Sequence, residues 1–268
     1  MVQRGGVSGS SISLRFTRWD ARVAIRAAAV AALSFGVAWL VTATTDEGGL
    51  SWGVRLGRSL PVAPACAAVG AAIALAPARA RGEIRALESL GRSPLESSLA
   101  AVFGGGLIAF VAALVVAVAP SVDVGGFFPA TRHGVEFRFD AGGFVDAVHG
   151  WRIEPTGALL RVPAIDAATL ALAAVPAHGR VAAAIVLAVA GIALAFVAAH
   201  ALVTKPSGAG PGRGALAFVF ACVVASVLAF HAAAAGRLPS FFATLPALVM
   251  LAGALLRYRP TRWPTKRA

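Results

Sequence analysis

Six long apolar blocks, each almost free of charge, constrain this chain more than any other feature. They run from about Ala27 to Ala43, Leu60 to Ala76, Leu99 to Ala119, Val181 to Val203, Ala215 to Ala235 and Leu238 to Leu256. Crossing the hydrocarbon layer of a bilayer takes roughly 20 helical residues. Within lipid every backbone N–H and C=O must be satisfied inside the segment, which a helix achieves and an open strand does not. The apolar residues come in runs and do not alternate with polar ones, so half-buried strands are a poor fit. Composition agrees, because 58% of the 268 residues are hydrophobic and only 13% are charged, about half the charged fraction of a typical soluble domain. The expected fold is mainly α, a polytopic membrane protein of six transmembrane helices.

Charge then orients the bundle. The net charge of +12 would suggest nucleic acid in a soluble protein, but here the Arg and Lys residues gather beside the ends of the apolar blocks. With the N-terminus inside, segments 1–26, 78–98, 204–214 and 257–268 are cytoplasmic and hold 16 of the 24 basic residues. That asymmetry predicts both termini in the cytoplasm. Residues 1–22 read as a polar cytoplasmic leader and 259–268 as a basic cytoplasmic tail. Val41-Thr42-Ala43 has the small residues of a signal-peptide cleavage site. The leader before it is long and five further blocks follow, so an uncleaved first helix is expected.

One connection is too long to be a turn. Residues 121–178 lie outside and read as a small β-rich unit inserted between the third and fourth helices. This divides the chain into helices over 23–120, the insert, and helices over 179–258, three plus three. Val135 to Phe139 alternates at period two. Turn signals at Gly142-Gly143, Gly150 and Pro155-Thr156-Gly157 separate further short runs, Phe144 to Val148 and Leu159 to Val162. Ala167 to Val175 is too short to span and is expected to form a juxtamembrane helix. Pro61 and Pro64 are expected in the opening turn of the second helix, where missing N–H groups cost least.

The cytoplasmic connection from Arg79 to Pro94 is the most informative loop. Ile84, Leu87 and Leu90 recur every three residues and predict one apolar stripe on a short helix, ringed by Glu83, Arg85, Glu88 and Arg92. Gly91 suits the left-handed turn that ends a helix, and Pro94 prevents continuation. From pattern alone, a helix that docks on a soluble partner and one that rests on lipid headgroups are both open.

The stretch Gly82-Glu83-Ile84-Arg85-Ala86-Leu87-Glu88-Ser89-Leu90-Gly91-Arg92-Ser93 resembles the coupling-helix signature of the LptF/LptG permease family, at Glu83, Ala86, Leu87, Gly91 and Ser93, with Ile84 conservative. The last hairpin, Gly236 to Leu248, resembles the family's final helix, where a Leu-Pro-Pro turn precedes an apolar run interrupted by proline. The order of parts, three helices, an outside β domain and three helices, is similar too. Glu88 stands where the family has arginine, and the outside domain is much smaller than the family's jellyroll. The resemblance implies the permease subunit of an ABC exporter in the bacterial inner membrane that extracts lipopolysaccharide or a related lipid. It implies a cytoplasmic ABC ATPase as partner, contacted through Glu83, Ile84, Leu87 and Gly91, and a second permease subunit, identical or different. A periplasmic partner at 121–178 is a further expectation. Basic residues facing lipid phosphates are expected from the resemblance at the end of the first helix; Asp46 and Glu47 stand there instead, and Arg55 and Arg58 lie nearby, as candidate headgroup contacts or as interfacial anchors.

No cofactor is expected in this chain, ATP and magnesium belonging to the partner ATPase. Gly208-Ala209-Gly210-Pro211-Gly212-Arg213-Gly214 lacks the Gly-Lys-Ser/Thr ending of a phosphate-binding loop. Cys66 and Cys222 sit in apolar blocks as small hydrophobes. His200 and His231 are read as polar groups facing other helices. His133, His149 and His178 lack zinc-ligand spacing. The apolar blocks hold almost no acidic residues, which argues against an ion-coupled carrier, and an enzyme is the least favoured class. Two readings stay open: a transporting permease subunit, and a structural or regulatory membrane subunit that keeps the permease fold.

Overall fold

A computed structural model describes residues 17–45, 51–128, 138–140, 143–146, 150–162, 178–204 and 212–258. Its helices are α1 (Arg18–Thr44), α2 (Trp52–Ser59), α3 (Ala63–Ala80), α4 (Glu83–Ser89), α5 (Pro94–Val118), α6 (Gly179–Val203), α7 (Arg213–Ala234) and α8 (Leu245–Leu256). Short 3-10 segments at Leu60–Val62 and Ser240–Thr244 lead into α3 and α8.

Five helical segments are long and apolar enough to cross a membrane: Arg18–Thr44, Trp52–Ala80, Pro94–Val118, Gly179–Val203 and Arg213–Ala234. The expected sixth is a shorter apolar helix, Ser240–Leu256. Its first turns are 3-10, which rises about 2.0 Å per residue against about 1.5 Å in an α-helix, so the segment reaches about 28 Å.

Two boundaries differ from the sequence reading. The first helix starts at Arg18, not near Ala27, because Thr17 and Asp20 close a capping box over its first turn. Residues 18–22, assigned to a polar leader, are therefore helical; residues 1–16 lie outside the described residues. The second span starts at Trp52, so Pro61 and Pro64 fall within it, yet each keeps its place in the opening turn of a helical element. The 3-10 turn at Leu60–Val62 absorbs Pro61, and Pro64 takes the first turn of α3, where it removes no helical hydrogen bond.

Helices α3, α5 and α6 form the centre, with α1 packed on α3 and α5, and α8 on α6 and α7. Small residues let the backbones close up. A Cβ at Gly104 of α5 would lie 2.1 Å from the Ala24 carbonyl oxygen of α1, and one at Gly191 of α6 would lie 2.2 Å from Ala109 Cβ. Two apolar cores result. One holds Leu60, Val116, Phe127, Phe128, Leu187 and Phe230, near the end that leads into the β unit. The other holds Val23, Leu75, Ile84, Ala101 and Phe196, near the end that carries α4.

The start of α1 and the end of the described chain meet at this α4 end. Asp20 pairs with Arg92, and the Tyr258 hydroxyl bonds to Ser98 Oγ at 3.1 Å and donates to the Phe196 carbonyl at 3.1 Å. At the other end Trp39 of α1 stacks on Trp52 of α2, 5.2 Å between ring centroids.

Among its described residues the insert holds an antiparallel meander, β1 (Arg138–Asp140), β2 (Gly143–Asp146), β3 (Trp151–Ile153) and β4 (Leu159–Arg161), in the order β1-β2-β3-β4. Strand β3 was not expected from the sequence. Ala167 to Val175 lies outside the described residues. At the margin of the insert Arg180, in the first turn of α6, caps the end of α5. Its Nη1 donates to the carbonyls of Val116 (3.0 Å) and Ala119 (2.7 Å), and its Nη2 to those of Pro120 (3.2 Å) and Val122 (2.9 Å). These include carbonyls that a helix C-terminus leaves without intrahelical partners.

Candidate functional site

The residues from Arg79 to Glu96 form a compact hairpin between α3 and α5. It begins at Gly82 in the left-handed region, φ +73°, and runs through α4. Its end has both hydrogen bonds of a Schellman cap: Arg92 N–H donates to the Leu87 carbonyl at 3.0 Å and Gly91 N–H to the Glu88 carbonyl at 2.9 Å. Gly91 takes φ +88°, which glycine adopts without the Cβ penalty other residues meet there. Ser93 and Glu96 then close a capping box over α5, with Pro94 at its first position. The helix–stop–helix pattern read from Gly91 and Pro94 is therefore present in the structure.

The stripe of Ile84, Leu87 and Leu90 is graded. Ile84 is 3% exposed and sits in the core of the bundle, Leu87 is half-buried, and Leu90 is 83% exposed. A spacing of three residues falls short of a helical turn, so each step rotates by about 60° and the stripe winds off the buried face. Leu90 is also the C-cap, beyond the last helical residue.

A polar cluster ties the hairpin to α1. Arg92 pairs with the buried carboxylate of Asp20 and donates to the Glu96 carbonyl at 3.1 Å. Its guanidinium also lies 5.2 Å from the centroid of the Trp19 ring, within cation–π range. Asp20 accepts from the Thr17 N–H at 2.9 Å and hydroxyl at 2.7 Å. Trp19 Nε1 donates to Glu83 at 3.0 Å, and Arg81 pairs with the other oxygen of Glu83 at 2.6 Å. The Arg81 and Trp19 donors hold the Glu83 carboxyl below its ordinary value, because both favour the ionised form.

These positions divide the expected ATPase contacts by role. Glu83 fastens α4 to α1, and Ile84 seats α4 on the bundle. Leu87 lies between buried and exposed faces, while Gly91 is exposed beside Arg85, Glu88 and Leu90. Arg55 and Arg58 belong to another region: both lie on α2, Arg55 half-buried and Arg58 exposed, at the opposite end of the α2–α3 span. The backbone around 121–123 packs on α2 through Gly53 and Gly57, and Asp123 N–H donates to the Gly53 carbonyl at 3.2 Å. Asp46 and Glu47 lie outside the described residues.

Sequence reasoning missed Trp19, Asp20 and Arg180. Thr17-x-x-Asp20 and Ser93-x-x-Glu96 both fit the capping-box pattern that marks a helix start, so two of the cluster's anchors carried a local signal. The Asp20–Arg92 pairing itself joins residues 72 apart in sequence and had none.

A cavity of about 510 Å³ opens between α3, α6 and α7, lined by Pro64, Leu187, Val227, Phe230, His231 and Met250 among others. The Phe230 ring meets Phe128 edge-on at 5.0 Å and Phe127 at 5.8 Å. The lining is apolar, suited to hydrocarbon and not to a charged solute. Among the described residues no cluster of His, Cys, Asp and Glu has the makings of a metal site. Comparison of the chain with protein-family models, with curated proteins and with solved structures gives no match in any of the three.

Proposed function

We propose that this chain is the permease subunit of an ABC-type exporter. In this reading it receives work from a separate cytoplasmic ATPase through the 79–94 hairpin and moves a lipid or lipopolysaccharide-like amphiphile. The observation that carries the reading is the hairpin itself. Ile84, Glu83 and Arg92 bind α4 to the bundle, so a push on its exposed rim of Arg85, Glu88, Leu90 and Gly91 passes into α1, α3 and α5 without being lost in a floppy loop. The apolar cavity beside α6 supplies a place for hydrocarbon, and the resemblance of 82–93 to the LptF/LptG coupling helix points to the same use. The chain crosses the bacterial inner membrane six times with both termini in the cytoplasm. An even number of crossings agrees with α1 beginning, and α8 ending, at the α4 end.

Leu90→Asp tests this reading, since Leu90 is 83% exposed and does not hold the fold. The variant is expected to fold normally and to lose co-purification of the ATPase; retained co-purification would refute the coupling role. Glu83→Lys is expected to abolish it as well, by freeing α4 from α1. The alternative is a structural or regulatory subunit that moves no lipid, favoured by the small outside meander and by Glu88 in place of the family's arginine. Lipid-stimulated ATP hydrolysis by the reconstituted complex separates the two, and its absence with every lipid tested selects the structural role.

A further inference from the structure

The apolar space beside α6 does not stop at the cavity already described. Leu194 also lines a second groove of about 340 Å³, between α3 and α7, with Ala68, Ala72, Ala198, Leu216 and Val219. This groove runs toward the α4 end and finishes at Arg79. There Arg79 and Leu202 open into a third hollow of about 170 Å³, with Arg85, Gly82 and Ile84. The character of the lining reverses between the two. The groove walls are apolar, alanine, leucine and valine, while the terminal hollow is polar and flanked by two arginines.

From Ala68 to Arg79, α3 rises about 16 Å, close to half of the ~30 Å hydrocarbon thickness. The groove therefore spans one leaflet, and its charged end lies at headgroup level. Arg79 is oriented there by donating to the Ala201 carbonyl at 3.3 Å. Among the described residues Arg85 has no ion pair, and the neighbouring carboxylate of Glu83 is engaged by Arg81 and Trp19. Glu88, one turn further along α4, is exposed and does not pair with Arg85. Two guanidinium groups, Arg79 and Arg85, thus border the hollow.

We propose that this groove holds an anionic phospholipid of the leaflet on the α4 side, one acyl chain lying along Ala68 to Arg79 and the phosphate on Arg79 and Arg85. Arginine suits phosphate because its planar fork offers several donors at once. Positive side chains at a membrane surface also select anionic over zwitterionic lipid. The inference rests on the chain spanning a membrane and does not depend on the exporter reading, since no ATPase is needed for the site to fill.

The test is native mass spectrometry of the full chain released from nanodiscs of phosphatidylethanolamine and phosphatidylglycerol mixed three to one. The wild-type chain is expected to retain phosphatidylglycerol well above its bulk share. Arg79→Ala/Arg85→Ala is expected to lower that retention about tenfold, and Arg79→Lys/Arg85→Lys to keep most of it. Ala198→Phe, which fills the groove and leaves both arginines in place, is expected to displace the lipid; it also serves if the double alanine variant does not fold. Equal retention of the two lipids by the wild type, or unchanged retention in Ala198→Phe, would overturn the proposal. Recovery of a second copy of the chain or of a peptide in the groove, in place of lipid, would overturn it too.

Discussion

Arg92 and Asp20 invite a perturbation whose two halves should be unequal. The Asp20 side chain is 3% exposed and that of Arg92 18%. Arg92→Ala would leave a buried carboxylate with only the N–H and hydroxyl of Thr17 as donors. Removing one partner of a buried pair costs about 3–5 kcal/mol. The two surviving hydrogen bonds and the position near the helix end place Arg92→Ala at the low end, about 3 kcal/mol. Asp20→Ala loses its half of the capping box, worth about 1 kcal/mol. The arginine it strands can turn to water while keeping the Trp19 ring beneath it, so its total should be about 2 kcal/mol. The double variant should cost less than the two single changes together, because the stranded charge is gone in both. Equilibrium unfolding in mixed detergent micelles reads all three values. The reasoning fails if Asp20→Ala is the more damaging change, or if the two effects simply add.

Three other perturbations follow from the packing and the caps. Arg180→Ala should destabilise the bundle by about 2 kcal/mol, given the strength of charged hydrogen bonds and their partial exposure; it should speed proteolysis around 119–122, and Arg180→Lys should recover part of the loss. Gly104→Ala places a Cβ 2.1 Å from the Ala24 carbonyl oxygen and should cost about 2 kcal/mol by prising α1 from α5, whereas Gly36→Ala, with open space around it, should be neutral or slightly stabilising in the same unfolding assay. Glu83 adds a pH dependence: its folded value lies below the ordinary 4.5, so its contribution is complete above that pH and fades as pH falls through the lower folded value. Stability measured against Glu83→Gln should therefore converge with it in acid and exceed it near neutrality, and parallel curves would contradict the assignment.

The parts of this fold that were legible in the sequence are those governed by local rules. Long apolar runs marked the spans, because lipid forces each to satisfy its own backbone. Gly91 with Pro94 marked the end of α4, and Gly236 marked the turn after α7, where Arg237 N–H donates to the Ala232 carbonyl at 2.9 Å and Gly236 N–H to Ala233 at 3.0 Å. Trp52 to Ser59 was assigned to a connection because Arg55 and Arg58 break its hydropathy, yet glycines at 53 and 57 let it lie against the 121–123 backbone and extend the second span. The Ile84 stripe does not by itself say whether that residue faces the chain's own core or a partner; Ile84 is 3% exposed and belongs to the same buried cluster as Leu75 and Ala101. Asp20 and Arg92, and Arg180 with the end of α5, are joined across long sequence separations, so neither pairing leaves a trace in local pattern.

Arg180 has one more implication. It grips both margins of the insert, the carbonyls where the chain leaves α5 and, through its own backbone, the point where the chain re-enters at α6. The chain between these margins is thus a closed loop whose ends are already fastened. Lengthening such a loop adds little entropy cost, about 0.6 kcal/mol for each doubling. The meander behaves as a cassette: it can be shortened, enlarged or exchanged over evolution, or by grafting, while the helices beneath keep their registry.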